Sequence, residues 1–331
     1  MHEPDNAQSG LVHAFVLDGR GGARRLTYPQ LDGLLLEPTE SLWLHWDRSH
    51  PQTCRWLHEC SGLSEFSCDL LLEENTRPRW LPLPSDELLL FLRGVNLNPG
   101  AEPEDMISLR IFAASQRIIS LRLRPLRATE ALIEQLAEGQ GPKTASELIL
   151  ALAHHLTDKV DALVRELTEL VDDEEERVDA TPSYSPEHGQ MLQIRRRSAS
   201  LRRFLAPQRE IYAQLTRNKL PWFVADDTDY WNELNNRLTR YLEELELTRE
   251  RVGLLLESEH RRMSERMNRI MYRFGIITGV FLPMSFLTGL FGINVGGMPG
   301  ADSPYGFLIA CLMMGSIALG QWWLFRRLQW I

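Results

Sequence analysis

The side chains best placed to do chemistry form one helical stripe. Met267, Met271, Phe274, Thr278, Leu282, Ser285 and Gly289 recur at helical spacing and lead to Gly292, Ile293 and Asn294. Thioethers, an aromatic ring, hydroxyls and positions that bare the backbone suit passage of a hydrated cation through narrow apolar constrictions. Asn294 adds a neutral carbonyl oxygen that accepts hydrogen bonds from metal-bound water without the trapping a full charge would cause. No Asp, Glu or His lies between Phe274 and Asn294, and the only cysteine in the apolar C-terminal part is Cys311. With no carboxylate, imidazole or thiol on it, the stripe fits passage of a hydrated ion better than a tight binding site. The same face can also pack on neighbouring helices, since small residues allow close approach.

Two further sets have metal-ligand chemistry. Cys54, His58 and Cys60 cluster near one short helix, and His154, His155 and Asp158 lie within two helical turns, His154 and Asp158 being four apart. Both could hold zinc or another divalent ion. A buried cysteine with a surface histidine, and a polar helix face, account for the same residues. An acidic run, Asp172-Asp173-Glu174-Glu175-Glu176, could concentrate cations, but Arg195, Arg196, Arg197, Arg202 and Arg203 follow a proline-bounded turn and are expected to fold back on it. No Walker loop, nucleophile elbow or coherent catalytic set is present, so the chain is not read as an enzyme and no cofactor is expected. The acidic balance, −9 over 331 residues, argues against a nucleic-acid partner.

These residues must be positioned by membrane-crossing elements. Phe274–Asn294 is apolar without a charged interruption. About 18 residues at a 1.5 Å rise give roughly 27 Å, just enough for a hydrocarbon core. Pro283 removes a backbone donor in mid-span, which membrane helices tolerate when a neighbour or water satisfies the freed carbonyl. A second apolar run covers 305–325. A plain anchor would need only apolar length, not a polar stripe that ends in a glycine-asparagine turn. Arg261, Arg262, Arg266, Arg269 and Arg273 precede the first span and Arg326 and Arg327 follow the second, while the loop 295–304 has no Lys or Arg. The positive-inside rule then puts both termini in the cytoplasm of an inner-membrane, multi-pass protein. No signal peptide is visible at the N-terminus, and the four cysteines suit a reducing cytosol.

The rest of the chain divides by pattern. Residues 1–126 read as a cytosolic α+β domain, a mixed sheet with helices, with strands expected at Leu11–Leu17, Ser41–Trp46, Glu87–Val95, Met106–Ala113 and Arg117–Leu123. Residues 127–228 read as a helical region, in which Thr144 and Glu147 make a capping box. Residues 229–273 form a stalk helix, and the absence of proline from Trp222 to Leu282 allows it to continue into the membrane, a helix on the order of 85 Å. There follow a first transmembrane helix (274–294), a periplasmic loop (295–304), a second transmembrane helix (305–325) and a basic cytosolic tail (326–331). Two spans cannot enclose a pathway, so a conducting path needs several copies around an axis.

The ending Gly292-Ile293-Asn294 resembles the Gly-Met-Asn motif that closes the pore helix of CorA-type divalent-cation transporters. The resemblance extends to the order of parts along the whole chain. Ile293 stands where the motif has methionine, and Val295-Gly296-Gly297-Met298-Pro299-Gly300 replaces the acidic loop typical of magnesium members. Both departures are similar to the ZntB branch. That resemblance implies a homopentamer with a funnel-shaped cytosolic domain that carries Zn2+ inward with proton coupling, with Cd2+, Ni2+ and Co2+ as other possible cargo. The residues themselves show no proton carrier.

Overall fold

The computed structural model describes residues 9–181, 183–217, 220–292 and 304–327. The chain forms two compact units, Met1–Leu256 and Glu257–Ile331. The first contains a seven-stranded sheet: β1 (Leu11–Leu17), β2 (Ala23–Arg25), β3 (Ser41–Asp47), β4 (Arg79–Leu83), β5 (Glu87–Gly94), β6 (Ile107–Ala113) and β7 (Arg117–Arg122), in the order β2-β1-β3-β7-β6-β5-β4. Only β3 and β7 pair in parallel, so the sheet is mixed. Every expected strand forms within a residue or two of its expected ends.

Both faces of the sheet are buried. One is covered by α1 (Pro51–Glu59) and α2 (Glu65–Leu72), whose Leu57, Cys68 and Leu71 pack with Leu44, Trp46, Phe91 and Phe112. The other lies beneath α3 (Arg127–Ala137), α4 (Ala145–Ala180) and α5 (His188–Arg217). This is why β3 shows no simple alternation: Trp43 serves one core and Leu44 the other. Gly94 lets α4 approach closely, because a Cβ there would lie 2.4 Å from a methyl of Leu156. Sequence patterning did not anticipate α2 or β4. The helix is only two turns long, and Pro82 sits within β4, an edge strand where the missing donor costs least.

Helix α4 starts as expected, with the Glu147 N–H donating to Thr144 Oγ1 at 3.1 Å. The reciprocal bond is one residue displaced, Glu147 Oε2 accepting from Lys143 N–H at 2.7 Å rather than from Thr144. Helix α6 is continuous from Asp227 to Phe291 and includes Pro283. The unit boundary falls inside it, since Trp231, Leu234, Leu238, Leu245, Val252 and Leu255 are buried in the helical core while 257–275 is largely exposed. Helix α7 (Gly306–Arg327) completes the second unit.

Candidate functional site

Helices α6 and α7 are both long and apolar enough to cross a membrane by length and composition. Each carries a partly covered stripe. On α6 it consists of Ile276, Gly279, Val280, Pro283, Met284 and Leu287; on α7, of Ala310, Met314, Ile317, Ala318, Gln321 and Phe325. The two helices meet closely at Gly279, where a Cβ would come within 3.0 Å of the Phe325 ring. Glycine at that point lets an aromatic ring rest against bare backbone.

Pro283 explains the second contact. A proline cannot donate to the carbonyl four residues earlier, so the Gly279 oxygen loses its intrahelical partner. Gln321 Nε2 donates to that oxygen at 3.2 Å. In an apolar layer an unmet carbonyl is costly, so this amide mends the helix where proline breaks its ladder. Gln321 was not among the residues singled out from sequence. Its signal was present, as the one amide in the second apolar run, but its partner could be found only by folding α7 onto α6.

The stripe that carries the cation chemistry lies elsewhere on α6. Met267, Met271, Phe274 and Leu282 are 58–68% exposed in the single chain, and Thr278, Ser285 and Gly289 are exposed too. At about 100° per residue, the mean direction of this stripe is about 170° from that of the stripe covered by α7. The helix therefore packs on α7 with one side and leaves the thioether, ring and hydroxyl side uncovered in the single chain. Thr288 Oγ1 donates to Ser285 O at 3.0 Å, and the Gly292 N–H reaches Thr288 O and Gly289 O at 3.0 and 3.2 Å, closing the last turn. Ile293 and Asn294 lie outside the described residues.

Neither candidate metal trio forms a three-ligand centre among the described residues. Among the described residues no three His, Cys, Asp or Glu side chains converge to hold a metal ion. His154 Nε2 lies 3.2 Å from Asp158 Oδ2, but Asp158 Oδ1 accepts from Arg237 at 2.6 Å. His155 turns to Gln135, 3.3 Å away, and burial depresses its pKa. A guanidinium on the only carboxylate of the set competes with a cation for it. In the other set Cys54 is half-buried, while His58 and Cys60 are exposed.

Three acids of the run, Asp172, Glu174 and Glu175, are paired, but not with the expected arginines. Arg251 of α6 pairs with Asp172 and Glu175, which hold its pKa above the ordinary value. Glu174 is fully buried and accepts from Arg177 at 2.8 Å and from the Tyr184 hydroxyl at 2.9 and 3.1 Å. Arg197 instead bridges Glu104 and Glu166, and Arg202 pairs with Glu246. The hairpin of α4 and α5 does fold back, with Arg197 meeting Glu166 across it, and further charges are matched to α6 and to the loop before β6.

Comparison with known proteins follows this architecture. Residues 39–327 match the family described as CorA-like Mg2+ transporter protein. The chain is 63% identical over 98% of both lengths to the divalent cation transporter CmaX of Pseudomonas aeruginosa. It is 35% identical, over 98% of itself and 97% of the relative, to the zinc transport protein ZntB of Pectobacterium carotovorum. The solved structure of full-length CmaX superposes with a TM-score of 0.88, covering 97% of this chain and 98% of that one, at 63% identity. The CorA magnesium transporter of Methanocaldococcus jannaschii shares the fold, with a TM-score of 0.77 over 97% of this chain and 99% of that one at 19% identity.

Proposed function

Since this chain belongs to the CorA-like Mg2+ transporter family, we propose that it moves divalent cations through a membrane along an axis lined by α6 helices from several copies. The observation that carries this reading is the two-sided character of α6. The side packed on α7 is committed within the chain, and the side bearing Met267, Met271, Phe274, Thr278, Leu282, Ser285 and Gly289 is left exposed. Identical copies around a symmetry axis would turn that stripe inward together. Five copies is the number the family resemblance supports.

Zinc is the proposed principal cargo. The support is the naming of relatives at 30–35% identity as zinc transport proteins, together with a first span that has no carboxylate to favour hard cations. Because that span has no His or Cys either, the ion passes hydrated, its water shell met by hydroxyls, backbone and the Asn294 amide. The membrane is the bacterial inner membrane, with both termini in the cytoplasm.

The test is flux into proteoliposomes with Zn2+, Cd2+, Ni2+, Co2+ and Mg2+, each with and without a pH gradient, for the native chain and for Asn294→Ala and Asn294→Gly. Native protein should carry Zn2+ best, and both variants should lose most flux while keeping their oligomeric mass. Preference for Mg2+ would refute the cargo. Normal flux by Asn294→Gly would reduce the asparagine to a helix cap, because glycine keeps the left-handed backbone and lacks only the amide. A detergent-corrected mass of monomers that still conduct would remove the shared axis.

A further inference from the structure

Chemistry of a different kind gathers on the α1 side of the sheet. The short 3-10 turn Tyr28–Leu31, strand β3, the start of β7 and helix α1 border a cavity of about 660 Å3. Leu31, Leu42 and Leu44 supply its aliphatic wall, and the aromatic side chains of Tyr28 and Trp56 line it too. Trp46 is fully buried; it stacks on Trp56 with ring centroids 4.3 Å apart and meets Tyr28 edge-on at 6.1 Å. A third ring therefore backs the two on the wall and restrains them. The volume falls within the range of small-molecule sites, which are mostly apolar with a few polar groups that set orientation.

Two polar groups here carry opposite charge and do not neutralise one another. Arg117, paired with Leu42 across β7 and β3, lines the cavity together with Asp32, which directly follows the turn. Among the described residues neither forms an ion pair, with the other or elsewhere. Burial lowers the Arg117 pKa, and Glu87 opposes this from a distance without pairing. The Arg117 fork is held from one side: it donates to Ser61 O at 2.7 Å and lies 5.4 Å from the centre of the Phe112 ring. A guanidinium has five N–H groups, and the rest of those on Arg117 meet no acceptor among the described residues. Asp32 is exposed, and its carboxylate accepts no hydrogen bond from them. A simple anion would be drawn to Arg117 and repelled by Asp32, and a simple cation the reverse. A ligand that carries both charges answers both groups at once.

We propose that this cavity binds an α-amino acid with an aromatic or large aliphatic side chain. Its carboxylate would take the planar fork of Arg117, which suits bidentate pairing, and its ammonium would go to Asp32. Its side chain would lie among Tyr28, Trp56 and the leucines. The guanidinium is oriented in advance by Ser61 and Phe112, and the rings by Trp46, so the ligand completes a built site. All of these residues belong to the first unit, so binding is independent of any cation the membrane helices carry.

The test is calorimetric titration of the full-length protein in detergent with L-phenylalanine, 3-phenylpropionate and phenethylamine. The last two keep the ring and lack the ammonium or the carboxylate. One saturable site per chain is expected for L-phenylalanine. Each single-charge probe should bind roughly tenfold or more weakly, the loss of one charged hydrogen bond. Asp32→Asn should bring L-phenylalanine to the native affinity for phenylpropionate, and Arg117→Gln to that for phenethylamine. Should Arg117→Gln fail to fold for want of its bond to Ser61 O, Asp32→Asn decides alone, because Asp32 is exposed. Arg165→Gln, on the exposed face of α4, should leave affinity unchanged. Bound L-phenylalanine should also slow maleimide labelling of Cys60, an exposed thiol on the same cavity, severalfold. No saturable heat with L-phenylalanine, equal affinity for the three probes, equal weakening of all three by Asp32→Asn, or a matching loss in Arg165→Gln would overturn the site.

Discussion

Replacing Gln321 by leucine tests whether α7 mends the break that Pro283 makes in α6. Leucine keeps the approximate size of the side chain and removes only the donor, so packing against Gly279 should persist. The lost interaction is one neutral amide bond of 3.2 Å to a carbonyl with no intrahelical donor. Such bonds contribute about 0.5–1.5 kcal/mol net, and interhelical ones in membranes average about 0.6 with a ceiling near 1.7. A cost of about 1 kcal/mol follows, roughly a fivefold change in the folding equilibrium and a fall of about 2 °C in the thermal midpoint of a chain this long. The decisive measurement is a double-mutant cycle with Pro283→Ala. Alanine restores the N–H that reaches Gly279 O, so Gln321→Leu should then cost almost nothing, giving a coupling of about 1 kcal/mol. Thermal unfolding of the detergent-solubilised full chain supplies the four midpoints, and divalent-cation flux in liposomes shows whether the mended helix matters to transport. An equal cost of Gln321→Leu with proline and with alanine at 283 would refute the reasoning, because the glutamine would then be serving something other than the orphaned carbonyl.

Orientation can be read by placing a thiol in the loop between the spans. Gly297→Cys, in a chain whose native Cys311 is replaced, should react with an impermeant maleimide added to intact cells; labelling only after the inner membrane is breached would reverse the assigned topology. Acid should act through His45, which is fully buried on β3 with Nδ1 2.8 Å from Ser120 Oγ. Burial, and then Arg122 and His13, hold its pKa well below the ordinary value, so the fold prefers the neutral ring. Its stabilisation is complete above an unfolded pKa of about 6.5 and is lost as pH falls below that, at up to about 1.4 kcal/mol per pH unit. Between pH 7.5 and 5.5, His45→Leu should therefore lose less stability than the native chain in urea unfolding, and parallel losses would assign the acid sensitivity to other groups.

Much of the architecture was legible because it depends on local periodicity. Alternation and apolar runs located five strands, the helical spacing of α4, α5 and α6 was unbroken, and the proline-free stretch before Pro283 announced one continuous helix. The exceptions have physical causes. Helix α2 spans two turns, too short for a period to stand out, and β4 contains a proline that an interior strand would not accept. Charge pairing was the least legible. Arg195 to Arg203 lie close in sequence to the acids at 172–176, but Arg251, 76 residues beyond Glu175, takes two of them because α6 runs beside α4.

The sequence by itself determined that two long apolar runs lie in the C-terminal part, that the first bears a stripe of methionine, hydroxyl and glycine positions, and that Gly292-Ile293-Asn294 follows it. Those features are one-dimensional, since residue type and spacing define a helix face whatever surrounds it. Only the tertiary structure decided which face of α6 is committed to α7 and which is left uncovered in the single chain. It alone showed that the carbonyl freed by Pro283 is met by an amide 42 residues from Gly279. It also showed that neither candidate metal trio converges on one point among the described residues. Long-range partners are set by strand order and helix docking, and no local spacing encodes them.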